Sequence, residues 1–152
     1  MPQRGTLTND FLAVAKQIEA DIQTLLDSHE TQDAFKEMVS KSAERNVYGA
    51  YTPTQYVRRG ADGMGIADTW NYEVYSEKLK LRLVNNTKGN IDYQWTQGWD
   101  AGYITDIIES GQGYHWKHSD IYQMNLARPF MEDGLDDFVD SYLIPKLDQL
   151  LK

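Results

Sequence analysis

The sequence predicts an α+β protein, with N-terminal helices and a C-terminal helix packed on a small antiparallel sheet. Three observations carry that expectation. Two amphipathic stripes of period near 3.6 lie side by side in the first 45 residues. Two period-two runs follow, from Trp70 to Tyr75 and from Lys78 to Leu83, with Ser76 and Glu77 between them. A third helical stripe then opens at Pro129, close to the C-terminus.

The first helix is the clearest element. Phe11, Val14, Ala15, Ile18, Ile22, Leu25 and Leu26 recur at helical spacing, with Lys16, Glu19, Asp21 and Asp27 on the other face. Thr8 or Asn9 serves as its cap, Leu7 and Leu12 are spaced as a hydrophobic staple, and it ends near Ser28. A second helix is expected from a Thr31 cap to about Arg45, with Ala34, Phe35, Met38, Val39 and Ala43 as its stripe. Two adjacent amphipathic helices have to bury their stripes on something larger, most simply a sheet.

From Asn46 to Asp68 the chain reads as a loop, punctuated by Pro53, Gly60, Gly63 and Gly65. In the first strand Trp70, Tyr72 and Val74 are set to one face, and in the second Leu79, Leu81 and Leu83. Ile91, Tyr93 and Trp95 fit a further short strand. Residues 100–110 read as a short helix stopped by Gly111 and Gly113. In the last helix Pro129 takes the favoured first position, and Glu132 and Asp133 complement the helix dipole. Its stripe is Phe130, Leu135, Phe138, Val139 and Tyr142, and Pro145 is expected to break or kink it. The whole is one domain over 1–152: helical 1–46, loop 47–68, hairpin and sheet region 69–95, helical and loop 96–152.

Composition excludes several classes. A chain of 152 residues has room for one core and needs no staple. The absence of cysteine removes disulfides, thiolate metal sites and a cysteine nucleophile. No apolar run is long enough for a bilayer, so no membrane partner is expected, and the first ten residues lack a signal-peptide core. The net charge of −8 argues against a sequence-independent nucleic-acid binder. That charge is uneven. Residues 1–33 hold two basic and six acidic side chains, 34–90 nine and six, and 91–152 four and eleven. The plain reading is acidic helices around a mildly basic sheet; the functional reading is opposed potentials through which copies pack head to tail.

Candidate chemistry is sparse. His115 and His118, with Asp120 nearby, have no second cluster, so neither a metal nor a cofactor is expected. No nucleophile elbow is present, and no catalytic residue is assigned. Asp136, Asp137 and Asp140 lack the loop spacing of a calcium hand and read as a solvated acidic face. Arg58 and Arg59 lie in a glycine-bearing stretch that is either an exposed loop or a partner-binding arm. Trp95, Trp99, Tyr103, Tyr114 and Trp116 crowd a polar, Gly-rich region, where core and protein interface are equally good readings.

Two stretches carry a resemblance. Ala127-Arg128-Pro129-Phe130-Met131, followed by Gly134-Leu135, opens the last helix. Upstream stands a segment from Tyr103 that ends Glu109-Ser110-Gly111, after a charged hairpin and two helices. This order resembles the neck or tail-completion proteins of long-tailed bacteriophages, the minor tail component or gene-product-ten-like family, over roughly residues 56–142. The chain departs from that family in Ile66-Ala67-Asp68-Thr69, where a threonine-glycine entry to the hairpin is usual, and in the aromatic stretch around Trp95–Trp99.

What the resemblance implies is a structural virion protein without catalysis. It would be a ring of identical subunits joining the head connector to the tail, assembled in the host cytoplasm. Its partners would be itself, head-closure or connector proteins, and tail-terminator or tail-tube proteins. Genome DNA would pass through its lumen without specific binding. In that setting Phe130 anchors the last helix, Arg128 stands at the helix mouth to pair with a carboxylate, and Asp133, Asp136, Asp137 and Asp140 face the lumen or a neighbour; Arg128, Phe130 and the last three acids join Arg58, Arg59, Trp95, Trp99 and Trp116 as candidate interface residues. The alternative is a protein-binding adaptor acting through the aromatic patch. A small hydrolase using aspartate and histidine is the third reading.

Overall fold

The structure, a computed structural model, describes residues 4–50, 65–88, 104–111 and 126–152; of residues 4–8 and Ile107 it describes the backbone. Within these the protein is α+β: α1 (Arg4–Asp27), α2 (His29–Ala43), β1 (Tyr72–Glu77), β2 (Lys80–Asn85), α3 (Thr105–Ser110), α4 (Phe130–Phe138) and α5 (Ile144–Leu150). The expected strand at 91–95 lies outside the described residues.

One serine makes the corner between the first two helices. Ser28 Oγ accepts the Thr31 amide at 3.2 Å and donates to the Leu25 carbonyl at 2.8 Å, so it closes α1 and caps α2 together. The expected Thr31 cap is thus displaced by three residues, and Thr31 is buried inside the first turn. Thr8 and Asn9 are not caps either, because α1 begins upstream at Arg4. Nothing in that first turn stops a helix, since a glycine there costs little.

α2 does not end in a loop. A π turn, Glu44–Tyr48, extends it and closes with the Gly49 amide on the Glu44 carbonyl at 2.7 Å. Val47, expected in the loop, is buried as a result. A second π turn, Val139–Leu143, joins α4 to α5, and the Ile144 amide reaches back to the Val139 carbonyl. The interruption expected at Pro145 is thus a π turn just before it, and the last leucines form the short helix α5. The wide turn precedes the proline, which then sits at the start of α5, where its missing amide breaks no regular helix bond.

β1 and β2 pair antiparallel from Tyr72↔Asn85 to Glu77↔Lys80. Their turn is Lys78-Leu79 rather than Ser76-Glu77, and both turn residues have positive φ, 52° and 61°. Side chains disfavour that geometry, though it matches the strand twist. Gln23 of α1 holds it: its carbonyl accepts the Leu79 amide at 2.8 Å, and its amide donates to Ser76 Oγ at 3.0 Å. Trp70 is not on the strand. It sits in a 3-10 turn, Thr69–Asn71, and is 89% exposed.

The core lies where α2 crosses α4. Phe35, Val39, Ala43 and Val47 pack on Phe130 and Phe138, with Ile66, Ala67 and Tyr72 closing the hairpin side. Phe35 and Phe138 stack with centroids 4.5 Å apart. Gly134 lets the helices approach: a Cβ there would stand 2.6 Å from the Val39 Cα. The expected stripe of α1 behaves differently along its length. Leu26 is buried, but Phe11, Val14 and Ile18 are exposed, so among the described residues half of that stripe packs on nothing.

Candidate functional site

The two stretches that carried the resemblance meet at the start of α4. The Arg128 amide donates to the Ile108 carbonyl at 3.0 Å, which fixes the entering chain against α3. The Glu109 carboxylate then accepts the Met131 and Glu132 amides, one on each oxygen, both at 3.0 Å. Those amides are among the four that a helix start leaves without partners, and the positive end of the helix dipole favours a carboxylate there. Pro129 precedes the helix as its cap residue and cannot offer a side-chain cap, so the cap comes from another element. Gly111, at φ 66°, turns the chain out of α3 just after Ser110, two residues beyond Glu109.

This arrangement assigns the neighbouring residues. Phe130 is fully buried and anchors α4, as expected, and that burial removes it from the candidate interface residues. Arg128 is only 7% exposed rather than standing at an open helix mouth. It lines a cleft of about 420 Å³ together with Arg45, Asn46, Leu126, Pro129 and Asp133.

The acidic run divides. Arg45, from the π turn after α2, lies 3.2 Å from Asp137 and 4.0 Å from Asp133. The Asn46 side-chain amide donates to Asp133 at 2.6 Å. Asp133 and Asp137 are four apart, so one face of α4 presents both to the same guanidinium. Asp136 and Asp140 remain exposed on the outer face. Among the described residues, no three His, Cys, Asp or Glu side chains gather as a metal ion requires. In the same residues no helix is long and apolar enough to cross a membrane. Arg58, Arg59, Trp95, Trp99 and Trp116 lie outside the described residues, as do His115 and His118.

Three features escaped the sequence reading. Glu109 caps a helix that starts 21 residues further on, and no local pattern marks such a partner. Arg45 was legible only as a helix end, though the i, i+4 aspartates of α4 are a signal for one shared cation. Trp70 was placed on a buried strand face by alternation alone, although it starts that run rather than lying within it.

Comparison with known proteins adds an origin. A family model described as YomN matches residues 10–152. A relative from Bacillus subtilis (strain 168), the SPbeta prophage-derived uncharacterized protein YomN, is 26% identical over 147 residues, covering 94% of this chain and 91% of its own. No solved structure matches.

Proposed function

The chain belongs to the YomN family, and on that premise we propose that it is a phage protein, a structural subunit of the bacteriophage neck. In this reading copies form a ring between the head connector and the tail, without catalysis, and the genome passes through the lumen.

The observation that carries the reading is the joint between Glu109 and the Arg128-Pro129-Phe130 entry. The two stretches on which the neck resemblance rests are distant in sequence, yet they form one structural unit. A prophage-derived relative that matches nearly end to end supports the phage origin. The net charge of −8 suits a duct wall to which DNA does not stick, with Asp136 of α4 and Asp140 of the following π turn as the outward acids. Asp133 and Asp137 contribute less to such a wall, because Arg45 offsets them.

Imaging of intact particles with this chain located by a tag tests the proposal. A closed ring at the head–tail junction is the expected result. A single asymmetric copy, or absence from the particle, overturns it. An adaptor role is the second reading, favoured by the 89% exposed Trp70, since an isolated large ring in solvent is a common anchor for a protein partner. It would give a monomer or dimer bound to another protein and no ring.

A further inference from the structure

Among the described residues, nothing covers the apolar stripe on the N-terminal half of α1. Phe11 is 73% exposed, Val14 58% and Ile18 38%, all on one face of the helix. Elsewhere on the same molecule an apolar groove of about 250 Å³ lies open. Its walls include Ile22 and Leu26 of α1, Leu79 at the hairpin tip, Leu135 of α4, and Leu143 and Leu147 around α5. Every side chain lining it is apolar, so it excludes a polar occupant.

The chain cannot fill this groove with its own Phe11. Ile22 lines the groove from the same continuous helix, and Phe11 lies about 16 Å further along that helix axis. A second copy has no such restriction. Charge sets the orientation. Asp10 and Asp21 flank the exposed stripe on one side. Lys78 and Lys80 flank Leu79 at the hairpin wall of the groove and leave it net positive although Glu77 lies 3.1 Å from Lys78, whereas Asp136 and Asp140 flank the α4 wall. The acidic edge of an incoming helix therefore faces the hairpin and avoids α4.

We propose that α1 of one copy docks through Phe11, Val14 and Ile18 into the groove between α1, the hairpin tip and α4–α5 of a second copy. The contact is heterologous: each copy offers one helix and one groove, so successive copies add in the same direction and close into a ring when the rotation permits. This deepens the ring reading given above and rests on its claim that copies associate.

The chain has no native cysteine, which makes cross-linking a clean test on the full-length protein. Phe11→Cys and Leu135→Cys are prepared separately, with different mass tags, and mixed under oxidising conditions. Both positions are exposed, so both variants should fold. The expected result is a disulfide between unlike chains, lost when Asp replaces Val14 and Ile18 in the Phe11→Cys chain and weakened by high salt. Linkage of Phe11→Cys chains to one another means a face-to-face dimer and overturns the proposal. Chains that stay monomeric at every concentration overturn it too. So does a particle in which imaging finds the ring but the cysteines do not link; in that case the neck reading stands and this interface alone falls.

Discussion

The α2–α4 crossing and the N-terminal half of α1 are written in the same periodic pattern, yet they end in opposite environments. Val39, Phe130 and Phe138 are at most 1% exposed, while Phe11 is 73% exposed. Period alone states that a helix has an apolar face. It does not state whether that face is covered by the same chain or by another one. What separates the two regions is partner density. The crossing has Gly134 opposite Val39, stacked Phe35 and Phe138, and a cap supplied by Glu109. Among the described residues, the outer half of α1 has no such counterpart. Covering Phe11 would be worth roughly 1.5–2 kcal/mol and the partly covered Val14 and Ile18 about 1 kcal/mol or less each, so a driving force for association is left on that half.

The comparison can be broken most sharply at the crossing. Phe130→Ala should cost about 3–5 kcal/mol, because a fully buried ring is lost with little room for collapse. Gly134→Ala should cost about 1–3 kcal/mol, since the new methyl meets Val39 backbone rather than a flexible side chain. Denaturant melts of both variants check these values. Near-neutral melts would mean that the helices are not in close contact.

Glu109→Ala should cost about 0.5–2 kcal/mol by leaving two amides of α4 without their carboxylate. The loss should persist in high salt more than that of an exposed ion pair, and the same melts read it. Tyr72 gives the pH dependence. Burial pushes its phenol above the ordinary value of 10, and its hydroxyl donates to the Ile66 carbonyl at 2.6 Å. The folded state therefore holds that proton more tightly than the unfolded chain does. Its contribution is complete below about pH 10 and is lost as pH rises further. Tyr72→Phe should remove this alkaline fall while costing about 1 kcal/mol near neutrality. Asn85 still donates to the Ile66 carbonyl, so no acceptor is stranded. Melts of both proteins between pH 8 and 11 make the comparison.

The smallest effect belongs to the other region. Phe11→Ser should leave the monomer's melt within about 0.5 kcal/mol of the parent, as for other exposed positions. A loss of several kcal/mol would place Phe11 in the core of its own chain and erase the contrast.

Much of the fold was legible because its signals are local. The stripes of α2 and α4, the strand alternation of Tyr72 and Val74, and the stop at Gly111 each depend on a few neighbouring residues. The errors share a different cause. The hairpin turn falls on Lys78-Leu79 because Gln23, more than 50 residues away, binds it. The interruption expected at Pro145 falls one turn early, as a π turn, and no composition rule announces a π turn. Of the candidate site, Phe130 was legible as a buried anchor. Arg128 was placed outside the helix correctly, but its burial depends on what packs around it, which the sequence order does not disclose.

The outer half of α1 is proposed as an interface between copies, outside the monomer's core. Amide hydrogen exchange on the full chain, followed from dilute to concentrated protein, tests it most directly. The amides of α2 and α4 should be strongly protected at every concentration, whereas those of residues 9–20 should exchange fast when dilute and slow markedly as copies associate. Protection of residues 9–20 equal to that of α4 in the dilute monomer would contradict the account.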